Sequence, residues 1–392
     1  MLNSIIRLAL PCVTLLCNVK LLNCEDLGTS ILNLPHYDPS IPNPDDDLEC
    51  LKLRDWNGPD DTSLPPNLCG MCPAGEHDLE PCDCINNRGS QAGLFSIECG
   101  PSTNWTTVDE IKEMIASADD ALITTHVFRF TMTGTNVSGA LKQDVWGRLD
   151  FHQVILDNNQ IQQVDNHAFA NSKETLTLLS IKNNEITYFH WDQLSDIPHL
   201  YQLLLQGNKL SFIPSDIFPQ TDLAYLDLSR NQIIYIGPNA FSNLRKLSKL
   251  NLSYNQLEYL DDYMFSIAQH DLDPNNLIIN LSNNKISYIS PMAFADVRPI
   301  NINLSYNRLT SIEEEVFRPI IDATYYFLSV DLNNNFIVCN CDIAWILLDP
   351  TPIRGIFGNF QCYDTLGNQT GTSFLDLNPH DFLFCHTDVV IN

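Results

Sequence analysis

The feature that most constrains this chain is a motif that recurs through its middle. The motif spaces its residues as Leu-x-x-Leu-x-Leu-x-x-Asn, with another apolar residue two positions later. Eight copies end at asparagines, and the third to fifth follow the pattern most closely: Asn159, Asn184, Asn208, Asn231, Asn255, Asn284, Asn307 and Asn335. The steps between them are 25, 24, 23, 24, 29, 23 and 28 residues. Such a period indicates repeats that stack into a solenoid.

Each position of the motif predicts a structural role. Alternating Leu-x-Leu predicts a short strand with one inward face, and successive repeats bring these strands into a parallel sheet. The Asn amide can donate to and accept from backbone groups of the turn, so the asparagines should form a buried hydrogen-bonded ladder. We therefore predict an α/β horseshoe, a solenoid with a parallel concave β-sheet, an irregular convex side and disulfide-bonded caps.

Two further sets of aromatic residues fit this arrangement. A phenylalanine stands ten residues after the Asn in most repeats and is predicted to fill the convex side of the core: Phe169, Phe218, Phe241, Phe265, Phe294 and Phe317. A weak first copy of the motif, without the Asn, includes Phe128 and Phe130. These residues are interpreted as packing residues.

Cysteines stand where a stack of repeats needs closing, because each end of the stack leaves apolar surface uncovered. Ten cysteines follow residue 24, and the stretch from Gly100 to Val338 contains none. They form an upstream and a downstream cluster: Cys50, Cys69, Cys72, Cys82, Cys84 and Cys99, then Cys339, Cys341, Cys362 and Cys385. Apolar residues three and four apart from Val108 to Ile115 predict a short helix before the first repeat. A second short helix is predicted around Trp345, covering the last repeat.

The N-terminal sequence predicts export. Residues 1–24 are interpreted as a signal peptide, since the twelve mostly apolar residues from Leu8 to Val19 lie between Arg7 and Lys20. A membrane span takes about 18 to 20 apolar residues, so neither this run nor any later one predicts a membrane helix. Six N-x-S/T sequons are predicted glycosylation sites, as expected of a secreted, extracellular chain: Asn104, Asn136, Asn251, Asn280, Asn303 and Asn368.

Charge and motifs exclude several function classes. With 48 Asp and Glu against 21 Lys and Arg, the chain carries a formal charge of −27, which argues against a nucleic-acid partner. The motifs of hydrolases, metalloproteases, nucleotide-binding and dinucleotide-binding proteins are missing, and the ten His are scattered. No catalytic residue, metal site or cofactor is therefore predicted. The less favoured alternative is a redox enzyme using Cys69 and Cys72, although the strand and helix that such a pair needs are missing around it.

The strand register also predicts a binding surface. In the first repeats the outward positions combine apolar or aromatic residues with polar ones, and we predict that they contact a protein ligand: Ile155, Leu178, Lys182, Gln202, Leu204 and Tyr225. The alternative is that they pack against the N-terminal leader or are tolerated on the surface. In later repeats the outward positions include Asn251, Asn280 and Asn303, whose glycans would crowd one another because neighbouring strands lie about 4.8 Å apart. Partial glycan occupancy is expected there.

From Cys72 to Cys385 the sequence resembles secreted leucine-rich-repeat proteins with both disulfide caps. The spacing from Cys339 to Cys385 carries the resemblance downstream, and it implies the pairs Cys339 to Cys362 and Cys341 to Cys385. Within that class, Cys72-Pro-Ala, Pro81-Cys82-Asp-Cys84 and the weak first repeat resemble the non-catalytic subunits of oplophorus-luciferin 2-monooxygenase, a secreted shrimp luciferase complex, and their crustacean relatives. This resemblance implies a non-enzymatic chain that stabilises a small catalytic partner subunit.

These observations predict the segments of the chain and its candidate functions. The predicted segments are the signal peptide (1–24), an acidic Pro-rich leader (25–68), an N-terminal cysteine cap with a short helix (69–122), about eight to nine repeats (123–338), a C-terminal cysteine cap (339–386) and a tail (387–392). The favoured function is a secreted protein-binding module whose ligand is a protein or a small catalytic subunit. The alternative is an extracellular matrix or innate-immune recognition protein. The oligomeric state stays open.

Overall fold

The structure is a computed structural model that describes residues 81–86, 95–118, 126–267, 277–324 and 327–386. The chain divides into two units, Met1–Leu48 and Glu49–Asn392, and every described residue belongs to the second. The predicted signal peptide and acidic leader lie outside the described residues, as do Cys50, Cys69 and Cys72.

Short strands, two that precede the repeats and one from each repeat, build the main sheet. The described residues form an eleven-stranded sheet with the strands β1 (Asp83–Asn86), β2 (Phe95–Cys99), β3 (His126–Met132), β5 (Asp150–Ile155), β7 (Leu178–Ser180), β8 (Gln202–Leu204), β10 (Tyr225–Asp227), β12 (Lys249–Asn251), β14 (Leu277–Asn280), β16 (Pro299–Asn303) and β17 (Ser329–Asp331). Strand β1 pairs antiparallel with β2, and all later neighbours are parallel. The predicted solenoid with a parallel sheet is confirmed.

The described residues also form four small sheets outside the main one. Their strands are β4 (Ser138–Leu141) with β6 (Gln160–Val164), β9 (Phe212–Ile213) with β11 (Tyr235–Ile236), β13 (Tyr259–Leu260) with β15 (Tyr288–Ile289), and β18 (Gln361–Tyr363) with β19 (Gln369–Ser373). The first three pairs are parallel, and each joins equivalent segments of neighbouring repeats. The fourth is an antiparallel pair in the C-terminal cap.

The described residues contain three α-helices: α1 (Val108–Ala118) before the first repeat, α2 (Glu314–Ala323) between Asn307 and Asn335, and α3 (Ala344–Leu347) in the C-terminal cap. Helix α1 begins where the Glu110 carboxylate accepts the backbone N–H groups of Thr106 and Thr107 at 2.6 and 2.7 Å. Both hydrogen bonds also lower the pKa of Glu110, and the bond from Thr107 has the larger effect. The apolar side chains from Val108 to Ile115 are buried, as their spacing predicts.

Helix α2 accounts for the long step between Asn307 and Asn335. In this repeat the structure has ten helical residues on the convex side, which take up the extra length. Glu314 and Glu315 lie in its first turn, where negative charge is stabilised by the helix dipole. Elsewhere the convex side consists of turns and short 3-10 segments, which include Ala170–Ser172 and Trp191–Asp196.

The ladder asparagines connect each repeat to the one before it. All eight are buried, and in each the Oδ1 atom accepts a backbone N–H of the preceding repeat at 2.9 to 3.1 Å. Each Nδ2 donates to a backbone carbonyl of the preceding repeat at 2.8 to 3.0 Å. In the first repeat Thr135 takes the place of the Asn, and its backbone N–H and hydroxyl both donate to Asn159.

The residue before each ladder asparagine adopts a left-handed backbone conformation. Its φ lies between 52° and 72° in all eight repeats, at Asn158, Asn183, Gly207, Arg230, Tyr254, Asn283, Tyr306 and Asn334. Asn and Gly tolerate this region well, whereas a bulky side chain is disfavoured there. The turn therefore imposes its geometry even on Arg230, Tyr254 and Tyr306, because the ladder bonds on either side fix the backbone.

Aromatic rings fill the convex side of the core. Phe218, Phe241, Phe265 and Phe294 are buried, and their successive ring centroids lie 5.5, 6.3 and 5.1 Å apart. The repeat of Asn184 departs from this pattern, because Trp191 packs 4.8 Å from Phe218 in place of a phenylalanine. Burying such a ring contributes about 2 to 3 kcal/mol, so the rings stabilise each repeat-to-repeat contact.

Disulfides occur in the described parts of both caps. In the C-terminal cap Cys339 is joined to Cys362 and Cys341 to Cys385, the two pairs that the family resemblance implies. In the N-terminal cap Cys82 is joined to Cys99, and Cys84 is also disulfide-bonded. The indole N–H of Trp345 donates to the carbonyl of Ile312 at 2.9 Å, and the guanidinium of Arg318 covers its ring at 5.0 Å. These contacts close the last repeat.

We predict that Asn231→Ala lowers the free energy of unfolding by about 2 to 4 kcal/mol, because it leaves buried backbone groups without partners. In the native protein the Asn231 amide donates to the carbonyls of Leu205, Leu228 and Ser229, and its oxygen accepts the N–H of Leu210. Thermal unfolding followed by circular dichroism measures the change. The exposed neighbour supplies the control, Gln232→Ala, and an equal fall in the two variants would contradict a special role for the ladder.

Candidate functional site

The six residues predicted to bind a ligand lie together on the concave face. Strand pairing places Leu178, Gln202 and Tyr225 in one row, and Ile155 and Leu204 in a second row beside it. Lys182 follows strand β7 at the edge of the same surface. The register of four consecutive strands, β5, β7, β8 and β10, therefore brings together residues that are up to 70 positions apart in sequence.

The side chains of this surface are less exposed than the sequence suggested. All six are half-buried, since rows on neighbouring strands about 4.8 Å apart cover one another. Gln153, which pairs with Leu178 in the same row, is buried, and its Oε1 accepts the Nε–H of Arg129 at 2.7 Å. The surface is thus a shallow, closely packed strip of aliphatic and aromatic side chains.

Two buried aspartates on the concave face organise its polar groups. Asp157 accepts the Ser180 hydroxyl at 2.7 Å and the Lys182 backbone N–H at 2.8 Å, and its second oxygen lies 3.1 Å from the Lys182 ammonium. Asp227 accepts the Ser229 backbone N–H at 2.9 Å and the Asn251 amide at 3.2 Å. Sequence reasoning missed both residues, although an Asp at the end of a strand (Asp227) or just after one (Asp157) was the available signal.

Asp227 also fixes the ring of Tyr225. The Tyr225 hydroxyl donates to the Asp227 carboxylate at 3.2 Å, and the Lys249 ammonium lies 6.0 Å from the ring centroid. Burial, followed by the charge of Asp227 and this hydrogen bond, raises the pKa of Tyr225 to about 12. Tyr225 therefore stays neutral and held in one orientation at physiological pH.

The C-terminal half of the concave face has a different chemistry. Asn251, Asn280 and Asn303 pair with one another across β12, β14 and β16, so the three sequon asparagines form one row. Each accepts, through its own Oδ1, the backbone N–H of the serine two residues later, at 3.0 to 3.2 Å. The other three sequon asparagines, Asn104, Asn136 and Asn368, are exposed outside the strands.

The described residues show neither a metal site nor a membrane helix. No group of three or more His, Cys, Asp or Glu in the described ranges could hold a metal ion. None of the helices that the structure describes has the length and apolar character needed to cross a membrane. Cys69 and Cys72, the residues of the redox alternative, lie outside these ranges.

Loss of the Tyr225 proton is expected to destabilise the fold at high pH. The pKa of Tyr225 is raised in the folded state, so the stabilisation is complete below pH 10, the ordinary tyrosine value, and falls as pH rises toward 12. A difference titration of tyrosinate absorbance between the native protein and Tyr225→Phe reports this group alone. We expect its midpoint near 12.

The variant Asp227→Asn removes the charge that Tyr225 faces, and it should shift that midpoint down. An unchanged midpoint in Asp227→Asn would contradict the role assigned to Asp227.

Known proteins share the repeat architecture. A family model described as leucine rich repeat matches residues 152–210 and 198–257. The non-catalytic subunit of oplophorus-luciferin 2-monooxygenase from Oplophorus gracilirostris is 27% identical over 76% of this chain and 85% of its own length. Tsukushi from Gallus gallus is 39% identical over 45% of this chain and 50% of its own length.

Among solved structures, one chain of a TLR13–ssRNA13 complex is similar with 19% identity and a TM-score of 0.49, covering 62% of this chain and 32% of that one. With its nine parallel repeat strands in the described residues, its asparagine ladder and its sequence relatives, the chain is a leucine-rich-repeat protein that resembles the Oplophorus non-catalytic subunit.

Proposed function

We propose that this chain is a secreted, non-enzymatic protein that binds a protein ligand on the concave face of its first repeats. The observation that carries the proposal is the strip formed by Ile155, Leu178, Leu204 and Tyr225, which aligns four aliphatic or aromatic side chains on a rigid sheet. Lys182 and Gln202 supply polar contacts at the strip. Aromatic and aliphatic anchors with a polar rim are the usual composition of a protein interface.

The rigidity of the strip favours binding. Side chains that are already ordered lose little conformational entropy when a partner covers them. Tyr225 is held by Asp227, and Lys182 by Asp157, so two of the six residues are fixed by hydrogen bonds or an ion pair before any ligand arrives. A partner would meet a preformed surface.

We further propose that the ligand is a small catalytic subunit that this chain stabilises. The support is the similarity to a protein named a non-catalytic subunit, which extends over 85% of that protein's length. Binding energy gained on the concave strip would stabilise a partner by mass action, because a ligand of the folded state alone shifts the folding equilibrium. This chain then needs no catalytic residue of its own.

The domain boundaries are part of the same proposal. Residues 1–24 would be removed on export, residues 25–68 would form the acidic leader, and residues 69–122 and 339–386 would cap the repeats of residues 123–338. A short tail, residues 387–392, would follow. Edman or mass-spectrometric determination of the mature N-terminus tests the first boundary.

The binding proposal is tested by recovering the full chain from its native secretion under mild conditions. Size-exclusion chromatography with mass spectrometry then identifies a co-eluting small subunit, whose affinity for recombinant variants can be measured. We expect the double variant Leu204→Ala and Tyr225→Ala to bind at least about tenfold more weakly, since each anchor removed weakens binding by more than about 1 kcal/mol.

The matched control changes two outward positions in later repeats of the row that contains Tyr225, Asn301→Ala and Ser329→Ala, and should bind normally. Equal affinity in both double variants, or recovery of the chain without any stoichiometric partner, would contradict the proposal.

We also propose that the row of sequons is glycosylated only in part. Asn251, Asn280 and Asn303 occupy adjacent strands about 4.8 Å apart, which is narrower than a glycan core. Glycopeptide mass spectrometry should find Asn104, Asn136 and Asn368 more fully occupied than this row. Full occupancy of all three row positions in one molecule would refute the crowding argument.

A further inference from the structure

A column of exposed aromatic rings runs along the flank of the solenoid, away from the concave sheet. In five consecutive repeats, the residue four positions after the ladder asparagine is aromatic: Tyr188, Phe212, Tyr235, Tyr259 and Tyr288. Their exposed fractions lie between 43 and 55%. We call these five residues the aromatic flank.

The backbone holds the aromatic flank in register. Phe212 pairs with Tyr235 across β9 and β11, and Tyr259 pairs with Tyr288 across β13 and β15. The residue after each ring points the other way and is buried, as Ile213 and Leu260 are. Within each of these two pairs the rings therefore leave parallel strands about 4.8 Å apart and face away from the core.

The rings are not needed for the repeat itself. In the repeats on either side, the equivalent positions hold Gln163, which is exposed, and Ser311, which is partly exposed. The same backbone position thus accepts a small or polar residue within this chain. A run of five exposed aromatic residues, limited to adjacent repeats, is the composition of an interaction surface rather than of a packing requirement.

The charge around the aromatic flank is mainly negative. Two lysines stand three residues before a ring, and each has a partner: Lys209 lies 3.2 Å from the Glu185 carboxylate, and Lys285 donates to the Gln256 side chain at 3.4 Å. The segments that carry the rings, residues 187–192, 211–216, 234–239, 258–263 and 287–292, contain no Lys or Arg. They contain five carboxylates, all exposed: Asp192, Asp216, Glu258, Asp261 and Asp262. None of the five is in an ion pair with another described residue. The flank therefore presents aromatic faces within a negative field.

Aromatic faces and carboxylates both attract cations. A Lys or Arg side chain gains from contact with a ring face and from the nearby negative charge. The chain already contains such a contact elsewhere, since the Arg230 guanidinium lies 4.3 Å from the Tyr254 ring centroid. A second copy of this chain fits poorly, because each copy carries a formal charge of −27. The complementary partner is cationic.

We propose that the aromatic flank binds a cationic segment of another protein, in which Lys or Arg residues alternate with apolar ones. The apolar side chains contact the rings, and the cations lie over ring faces and beside Asp216, Glu258 and Asp261. This surface is separate from the concave strip, so the chain can bind a second protein segment whether or not the concave strip is occupied.

The probe is a short synthetic peptide that alternates Lys and Phe, compared with one of equal charge that alternates Lys and Ser. Isothermal titration calorimetry with the full chain should give at least about tenfold tighter binding of the Lys/Phe peptide. The triple variant Tyr235→Gln, Tyr259→Gln and Tyr288→Gln introduces the residue type that Gln163 places at the equivalent position, and it should lose that preference. The charge variant Asp216→Asn, Glu258→Gln and Asp261→Asn should weaken binding of both peptides and reduce its salt dependence.

Two controls separate this surface from the others. Tyr254→Asn with Tyr306→Asn removes exposed tyrosines at left-handed positions where Asn occurs in other repeats, and it should leave peptide binding unchanged. The concave variant Leu204→Ala with Tyr225→Ala should also bind the peptide normally, which keeps this test independent of the concave-face proposal. Unfolding temperatures equal to that of the native protein show that each variant is folded.

Several results would overturn the proposal. Equal affinity of the native protein for the two peptides would contradict a role for the aromatic flank. So would a loss of peptide binding in the Tyr254→Asn, Tyr306→Asn control that is as large as the loss in the triple variant. Binding of a neutral oligosaccharide such as chitohexaose that depends on Tyr235, Tyr259 and Tyr288, without the peptide preference, assigns the surface to glycans instead. A concentration-dependent dimer that the triple variant abolishes assigns it to a second copy.

Discussion

The hydrogen bonds of the ladder asparagines are the constraint on which the rest of the structure depends. Each amide links its own turn to the preceding repeat through both its oxygen and its nitrogen. Contacts between the described repeats of a solenoid run between neighbours, so a lost link between two repeats is not replaced by contacts with more distant repeats. The caps follow from the same fact, since the first and last repeats have a neighbour on one side only.

The ladder also explains what the sequence could predict. An asparagine every 23 to 29 residues fixes the register, and the register then fixes which residues face inward. The parallel sheet and the buried Phe241 and Phe265 follow from that pattern, whereas the helix at Val108 follows from its own apolar residues three and four apart. Trp191 and helix α2 did not follow from it, because the convex side is held by packing rather than by a ladder and accepts several local structures.

The concave face shows where sequence reasoning ends. The pattern placed Leu204 and Tyr225 outward, and the structure agrees on their direction. It could not predict that Asp157 and Asp227 are buried on the same face, because their partners Lys182 and Asn251 lie one repeat further along the chain. Polar networks between repeats depend on side-chain positions in two strands at once. A motif read one repeat at a time contains no information about them.

The repeat also separates the surfaces of the molecule by position within the motif. Residues before the ladder asparagine line the concave sheet, whereas residues four positions after it line the flank, and the buried positions between them belong to the core. A substitution in one surface column therefore leaves the other column and the ladder in place. Because the strands hold both columns rigid, each surface can gain binding energy from aromatic and apolar contact without ordering the other. The single repeat geometry thus accommodates both proposed interfaces, an apolar one on the concave sheet and an acidic, aromatic one on the flank.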